Sequence, residues 1–193
     1  MKRFMALSLM TLFAAAAIVA VGVRVWLGPP DARIATAAAE LSIPPGWTPI
    51  DWPFLNDQFG KGKAFECAAS DCGAVIRLTF RAKIGFCNCA TGVSDDDELE
   101  RIGDVGMAGA TPAPLGEGRE IKVGRMAGRS RPYALGARDA KQRILSLAFN
   151  DRCDVIVATA QAPNTTPLAI EPKVLDFLNS EYVLHWAQVT LGL

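Results

Sequence analysis

The longest uncharged run of the chain stands at its start. From Phe4 to Val23 the sequence reads FMALSLMTLFAAAAIVAVGV, twenty residues without an ionisable side chain, with Lys2 and Arg3 ahead of it and Arg24 behind. A helix of that length crosses the ~30 Å hydrocarbon layer of a bilayer, and the basic end stays in the cytoplasm. A secretory signal peptide has the same features, and Ala20-Val21-Gly22 offers a small-x-small cleavage site. The run is long for a signal peptide, so it reads as an uncleaved anchor through residues 4–23, with Trp26 at the far interface. The expected location is the cell envelope: anchored in the inner membrane with the domain in the periplasm, or secreted to the periplasm if the segment is cleaved.

Residues 1–27 are therefore the anchor, 28–46 a linker and 47–193 an exported domain. The linker is rich in Ala and ends at Pro44-Pro45-Gly46, which forbids regular structure. Without residues 1–27 the chain keeps 17 basic and 20 acidic groups, a net of −3. A mildly acidic domain does not indicate nucleic-acid binding. Its length suits one core.

The clearest strand is Ala74 to Lys83, AVIRLTFRAK. Ala74, Ile76, Leu78, Phe80 and Ala82 alternate with Val75, Arg77, Thr79, Arg81 and Lys83, as expected of an antiparallel strand with one basic, water-facing side. Lys63 to Cys67 is expected to pair with it. Further strands are expected at Glu120–Met126, Arg131–Leu135, Gln142–Phe149 and Val155–Ala160. The last two are apolar runs for the sheet centre, joined at Asn150–Asp154. A short helix capped by Ser94 or Asp95 should bury Leu99, Ile102 and Val105. A second helix should start at Pro172, with a break possible at Asn179–Ser180, and bury Val174, Leu175, Phe177, Leu178, Leu184, Trp186 and Val189. The fold class is α+β: a mainly antiparallel sheet covered by a C-terminal helix, after an N-terminal transmembrane helix.

The five cysteines are Cys67, Cys72, Cys87, Cys89 and Cys153. In an oxidising compartment thiols tend to pair. The spacing C-x4-C, then C-x-C, is not that of a zinc ribbon. Cys67 and Cys72 flank one turn and can bridge. Cys87 and Cys89 are two residues apart, so a bridge between them is strained, and one of the two is expected to meet Cys153, leaving a free thiol. The alternative for Cys87 and Cys89 is a soft-metal site, since paired thiolates can grip Cu(I). No Met-rich or His-rich tract accompanies them. The sole histidine, His185, falls on the apolar C-terminal helix.

Asp95, Asp96 and Asp97 lack the alternate spacing and the glycine of a calcium loop. As the first turn of a helix they oppose the positive end of its dipole. From Arg125 to Arg152, seven basic residues face two acids, a local net of +5. Arg77, Arg81, Lys83, Arg125, Arg129, Arg131 and Arg143 are thus the candidate face for an anionic lipid or an acidic envelope protein. Nucleophile-elbow, phosphate-loop and zincin motifs are absent from the sequence. No catalytic residue and no cofactor is assigned.

The stretches FECAASDCGAVIRLTFRAKIGFCNCATGVSDDDELERIGD and ILSLAFNDRCDVIVATA resemble an uncharacterised family of bacterial envelope proteins, over most of the domain after Trp47. The order of strands followed by a final helix is similar to PsbP/Mog1-type α/β/α sandwiches. That resemblance implies a binding or assembly subunit. The expected function is a membrane-tethered periplasmic binding or assembly domain. The alternative is thiol or copper handling through the C-x-C pair.

Overall fold

Apolar runs at Ile144–Phe149 and Val155–Ala160 are buried along their whole length, which requires cover on both faces of the sheet they form. The computed structural model describes residues 41–108, 111–136 and 143–193. The expected anchor at 1–27 and the linker as far as residue 40 lie outside the described residues. Among the described residues no helix is long and apolar enough to cross a membrane.

One antiparallel sheet is built from β1 (Trp47–Pro49), β2 (Lys63–Cys67), β3 (Ile76–Lys83), β4 (Pro112–Pro114), β5 (Arg119–Val123), β6 (Met126–Leu135), β7 (Arg143–Asp151) and β8 (Asp154–Gln161). Its order is β1-β2-β3-β8-β7-β6-β4, with β5 also paired to β6. The expected strand at Glu120–Met126 is instead a hairpin. Gly124, at φ +58°, turns the chain between Val123 and Met126, and β6 runs on through Leu135. Asp151 pairs with Asp154, so β7 and β8 are joined through Arg152 and Cys153 alone.

Helices α1 (Ala69–Cys72), α2 (Asp96–Ile102), α3 (Pro167–Leu178) and α4 (Glu181–Leu191) complete the fold, with a 3-10 turn at Val105–Ala108. The second expected helix starts earlier than Pro172. Thr166 precedes Pro167, which takes the favoured first-turn position, and Pro172 sits inside α3. Asn179 and Ser180 end α3, and the Ser180 hydroxyl caps α4 by accepting from the Val183 amide. That restart resets the helical phase. Val183, Ala187 and Leu191 face the core at intervals of four, whereas Val189, expected inside, is 69% exposed.

Helices α3 and α4 cover the inner face. There Phe65, Leu78, Phe80, Leu147 and Ala158 meet Val174, Phe177 and Val183 in the main core. Buried Glu171 of α3 is bonded by the Ser130 hydroxyl and Arg119. The outer face, expected to be wet, is covered as well. Leu99 and Ile102 of α2 pack with Cys87 and Val93 on Ala148, Val155 and Val157. Val105 adds a patch with Tyr133, Leu135 and Ile144. Asp95 caps α2, its carboxylate accepting from the Glu98 amide at 2.8 Å. The result is three layers, helix on sheet on helix.

Phe177 shows how the core is keyed: its ring lies 4.3 Å from Trp47, 4.9 Å from Phe65 and 6.4 Å from Phe80. Truncating it removes contacts to three strands at once. Phe177→Ala should lower the free energy of unfolding by about 3–5 kcal/mol, seen as a lower urea midpoint.

Candidate functional site

The pleat sends Arg77, Thr79, Arg81 and Lys83 to the outer face of β3, as the alternation predicts, but water does not receive them all. Arg77 is exposed; Arg81 and Lys83 are 2% and 4% exposed. The expected basic face is corrected at these two positions, because acids distant in sequence close over them. The Arg81 guanidinium donates to Asp104 at 2.6 and 2.8 Å and to Asp57 at 2.7 and 2.9 Å. Lys83 Nζ lies 2.8 Å from Asp104 and donates to the Ile102 carbonyl at 2.6 Å. Phe59 and Phe86 shield the cations, with Lys83 Nζ 4.8 Å from the Phe59 centroid. Two cations and two carboxylates thus neutralise each other. Burial alone would lower the Arg81 pKa, but its bonds to Asp104 and Asp57 outweigh that and hold it above the usual value. The same bond to Arg81 holds the Asp57 carboxyl below its ordinary value of 3.8.

The other candidate cations are mostly engaged. Arg129 and Arg131 are bonded to Asp96, and Arg131 also to Glu100 at 2.7 Å, so the acids of α2 lie on the arginines of β6. Arg125 meets Asp151 at 3.1 Å, and Arg143 stays exposed. The acidic first turn of α2 therefore serves the helix dipole and this ion-pair layer together.

The cysteines divide into two bridges and one thiol. Cys67 is joined to Cys72 and Cys89 to Cys153, and Cys87 is free and buried. The Cys87 thiol donates to the Arg152 carbonyl at 3.2 Å, and its backbone N–H bonds the Cys153 carbonyl at 3.1 Å. Burial pushes its pKa up, and Glu98 and Asp154 push it further. With Cys89 held in a bridge, the C-x-C pair does not offer two thiolates. Among the described residues no group of three Cys, His, Asp or Glu is placed to hold a metal ion. His185 is exposed on α4.

The outer face also carries a cleft that no sequence motif marks. Its floor is two rungs of the sheet. Register aligns Glu66, Arg77 and Gln161 on one, and Ala64, Thr79 and Thr159 on the next. Its wall is a strap after β1 that contributes Ile50, Pro53 and Phe54, enclosing a space of about 350 Å³. The strap is tied at both ends. The Ile50 amide donates to the Ala64 carbonyl at 2.9 Å, and Asp57 is held by Arg81. Arg77 Nε donates to Glu66 at 2.8 Å, and its other nitrogens have no partner among the described residues. The Thr79 hydroxyl donates to the Thr159 carbonyl at 3.3 Å. Three buried side-chain atoms lack a partner among the described residues: Trp52 Nε1, Ser146 Oγ and Thr159 Oγ1. Thr159 is the one that lines this cleft. Two further clefts, about 490 Å³ beside Tyr133 and about 440 Å³ beside Asn150, are lined by none of the three.

No protein-family model matches the chain, and no curated protein matches it. Among solved structures it is similar to the solution structure of cyanobacterial PsbP (CyanoP) from Synechocystis sp. PCC 6803. The TM-score is 0.45 and the identity 12%, over 70% of this chain and 79% of that one. The likeness is one of architecture.

Two outcomes follow from these contacts. Asp57 has a depressed pKa, so its hold on the strap is fully present above its unfolded value near 3.8 and is lost as pH falls through the lower folded value. The protection of the Phe59 amide against hydrogen exchange, taken relative to its intrinsic rate at each pH, should fall in that acid range, since this amide donates to Asp57 at 2.8 Å, and Asp57→Asn should abolish the step. Cys89→Ser leaves Cys153 a free thiol held next to Cys87 by the bond from the Cys87 amide to the Cys153 carbonyl at 3.1 Å. Peptide mapping of the oxidised variant should find Cys87–Cys153; two persisting thiols would contradict the geometry.

Proposed function

We propose that the chain is a membrane-tethered domain of the bacterial envelope that binds a small ligand under the strap and does not catalyse a reaction on it. Residues 4–23 hold it to the inner membrane, and the folded part works in the periplasm. Two observations support the location: the uncharged N-terminal run and the bridges Cys67–Cys72 and Cys89–Cys153, which persist in oxidising compartments. One observation carries the binding role. The cleft has an apolar wall, a cation with uncommitted donors and a buried hydroxyl without a partner among the described residues, the mix of apolar cover and few polar groups found in ligand sites. The floor supplies no paired nucleophile and base: its hydroxyls, Thr79 and Thr159, lie among Arg77, Glu66 and Gln161.

Fractionation and fragment mapping test the two halves separately. The full-length chain should sediment with inner membranes and resist carbonate extraction; appearance in the periplasmic soluble fraction would remove the tether. In a fragment screen followed by methyl NMR, the Thr79 and Thr159 methyls should shift before that of exposed Thr190. A screen in which neither moves would remove the binding seat.

A further inference from the structure

We infer that the cleft selects small monocarboxylates with a short apolar or aromatic tail, an inference that rests on reading the cleft as a binding seat. Its polar floor carries one cation and one carboxylate, and that carboxylate is already engaged by the cation. Of the Arg77 donors only Nε is used, on Glu66, which leaves both terminal nitrogens for a second carboxylate. The Gln161 amide and the Thr159 hydroxyl add donors on the same face. Glu66 is the one anionic group among the residues lining the cleft, and its carboxylate already accepts from Arg77. Arg77 is also the more accessible partner of that pair, its side chain 66% exposed against 34% for Glu66. A planar anion fits the outer edge of the guanidinium, whereas an amine would have to compete with Arg77 for Glu66.

The wall sets the rest of the ligand. Ile50, Pro53 and Phe54 present no charged group, and Phe54 stands edge-on to Trp52 at 5.3 Å, which fixes its ring as a flat apolar surface. The volume, near 350 Å³, lies at the small end of ligand sites, ~300–1,000 Å³, and excludes a long acyl chain.

Thr159 gives the inference its sharpest consequence. Its hydroxyl is enclosed between strands and makes no bond among the described residues, so it contributes nothing to the free fold that valine would not. Carboxylate selection requires that hydroxyl to turn about Cα–Cβ toward the cleft, where a carboxylate oxygen accepts from it. Residues kept only for packing do not distinguish threonine from its isostere in this way.

The test uses the full chain in lipid nanodiscs with two matched probes, 3-phenylpropionate and its neutral amide, 3-phenylpropanamide. The carboxylate should shift the Thr79 and Thr159 methyl resonances saturably and bind about tenfold tighter than the amide. Arg77→Gln should erase that preference. Thr159→Val, read at its remaining methyls and at Thr79, should weaken the carboxylate about threefold while the melting temperature stays level or rises. Equal binding of both probes at these methyls would overturn the carboxylate selection and leave the cleft standing as a seat. If neither probe moves them, the seat itself fails and the inference with it. A Thr159→Val chain that melts lower would show the hydroxyl already partnered in the fold and would overturn its assigned role.

Discussion

Arg81 organises the outer half of this protein. Its guanidinium, 2% exposed, holds Asp57 on one side and Asp104 on the other, and Lys83 shares Asp104. Desolvating ions costs several kcal/mol each, and an assembled buried pair is seldom a net stabiliser; a member left without its partner is strongly destabilising. The arrangement therefore fixes position more than it adds free energy. Asp57 belongs to the strap after β1 and Asp104 to the segment between α2 and the 3-10 turn, so one side chain on β3 sets the place of two coverings, which also meet where Phe59 packs on Phe86. The strap roofs the cleft. The α2 segment keeps Val155 and Val157 dry.

The bridges act at a different level. Cys67–Cys72 closes a span of five residues around α1, whereas Cys89–Cys153 ties the loop after β3 to the tip of the β7–β8 hairpin across 64 residues. On a chain-entropy account the short closure contributes about 2 kcal/mol and the long one about 4 kcal/mol. The long bridge also keeps Cys87 in the outer core, with Val93, Leu99 and Ala148. Covalent closure and the Arg81 network thus both secure the outer covering layer. The short bridge borders the inner core, where α3 and α4 lie on a continuous apolar surface that includes Cys67, Phe65, Phe80 and Phe177.

This division explains where a ligand seat can exist. On the inner face the helices interdigitate with the sheet, and the aromatic rings fill the space. On the outer face α2 covers β6 and β7, the strap covers β2 and β3, and the cleft stands under the strap over the β2–β3–β8 rungs. Polar floor residues survive there because the strap passes over them without packing to core density, and because Arg77, at the sheet end, keeps contact with water.

Much of the framework was legible in the sequence, for local reasons. The alternation in AVIRLTFRAK, the turn composition of NDRCD, the acidic cap before Leu99 and the break at Asn179–Ser180 each depend on neighbours within a few residues, and the strands, hairpin, α2 and the α3–α4 junction stand there. Placing Cys67 and Cys72 around one turn was legible for the same reason. Tertiary structure alone decided that Arg81 and Lys83 are dry, since their acids stand 21 or more positions away, on elements that no periodicity links to β3. It decided likewise that Cys89 rather than Cys87 takes Cys153, and that Thr79, Thr159 and Gln161 share a floor with Arg77. Alternation tells which way a side chain leaves a strand. What covers that side depends on contacts distant in the chain, and the sequence has no period that encodes them.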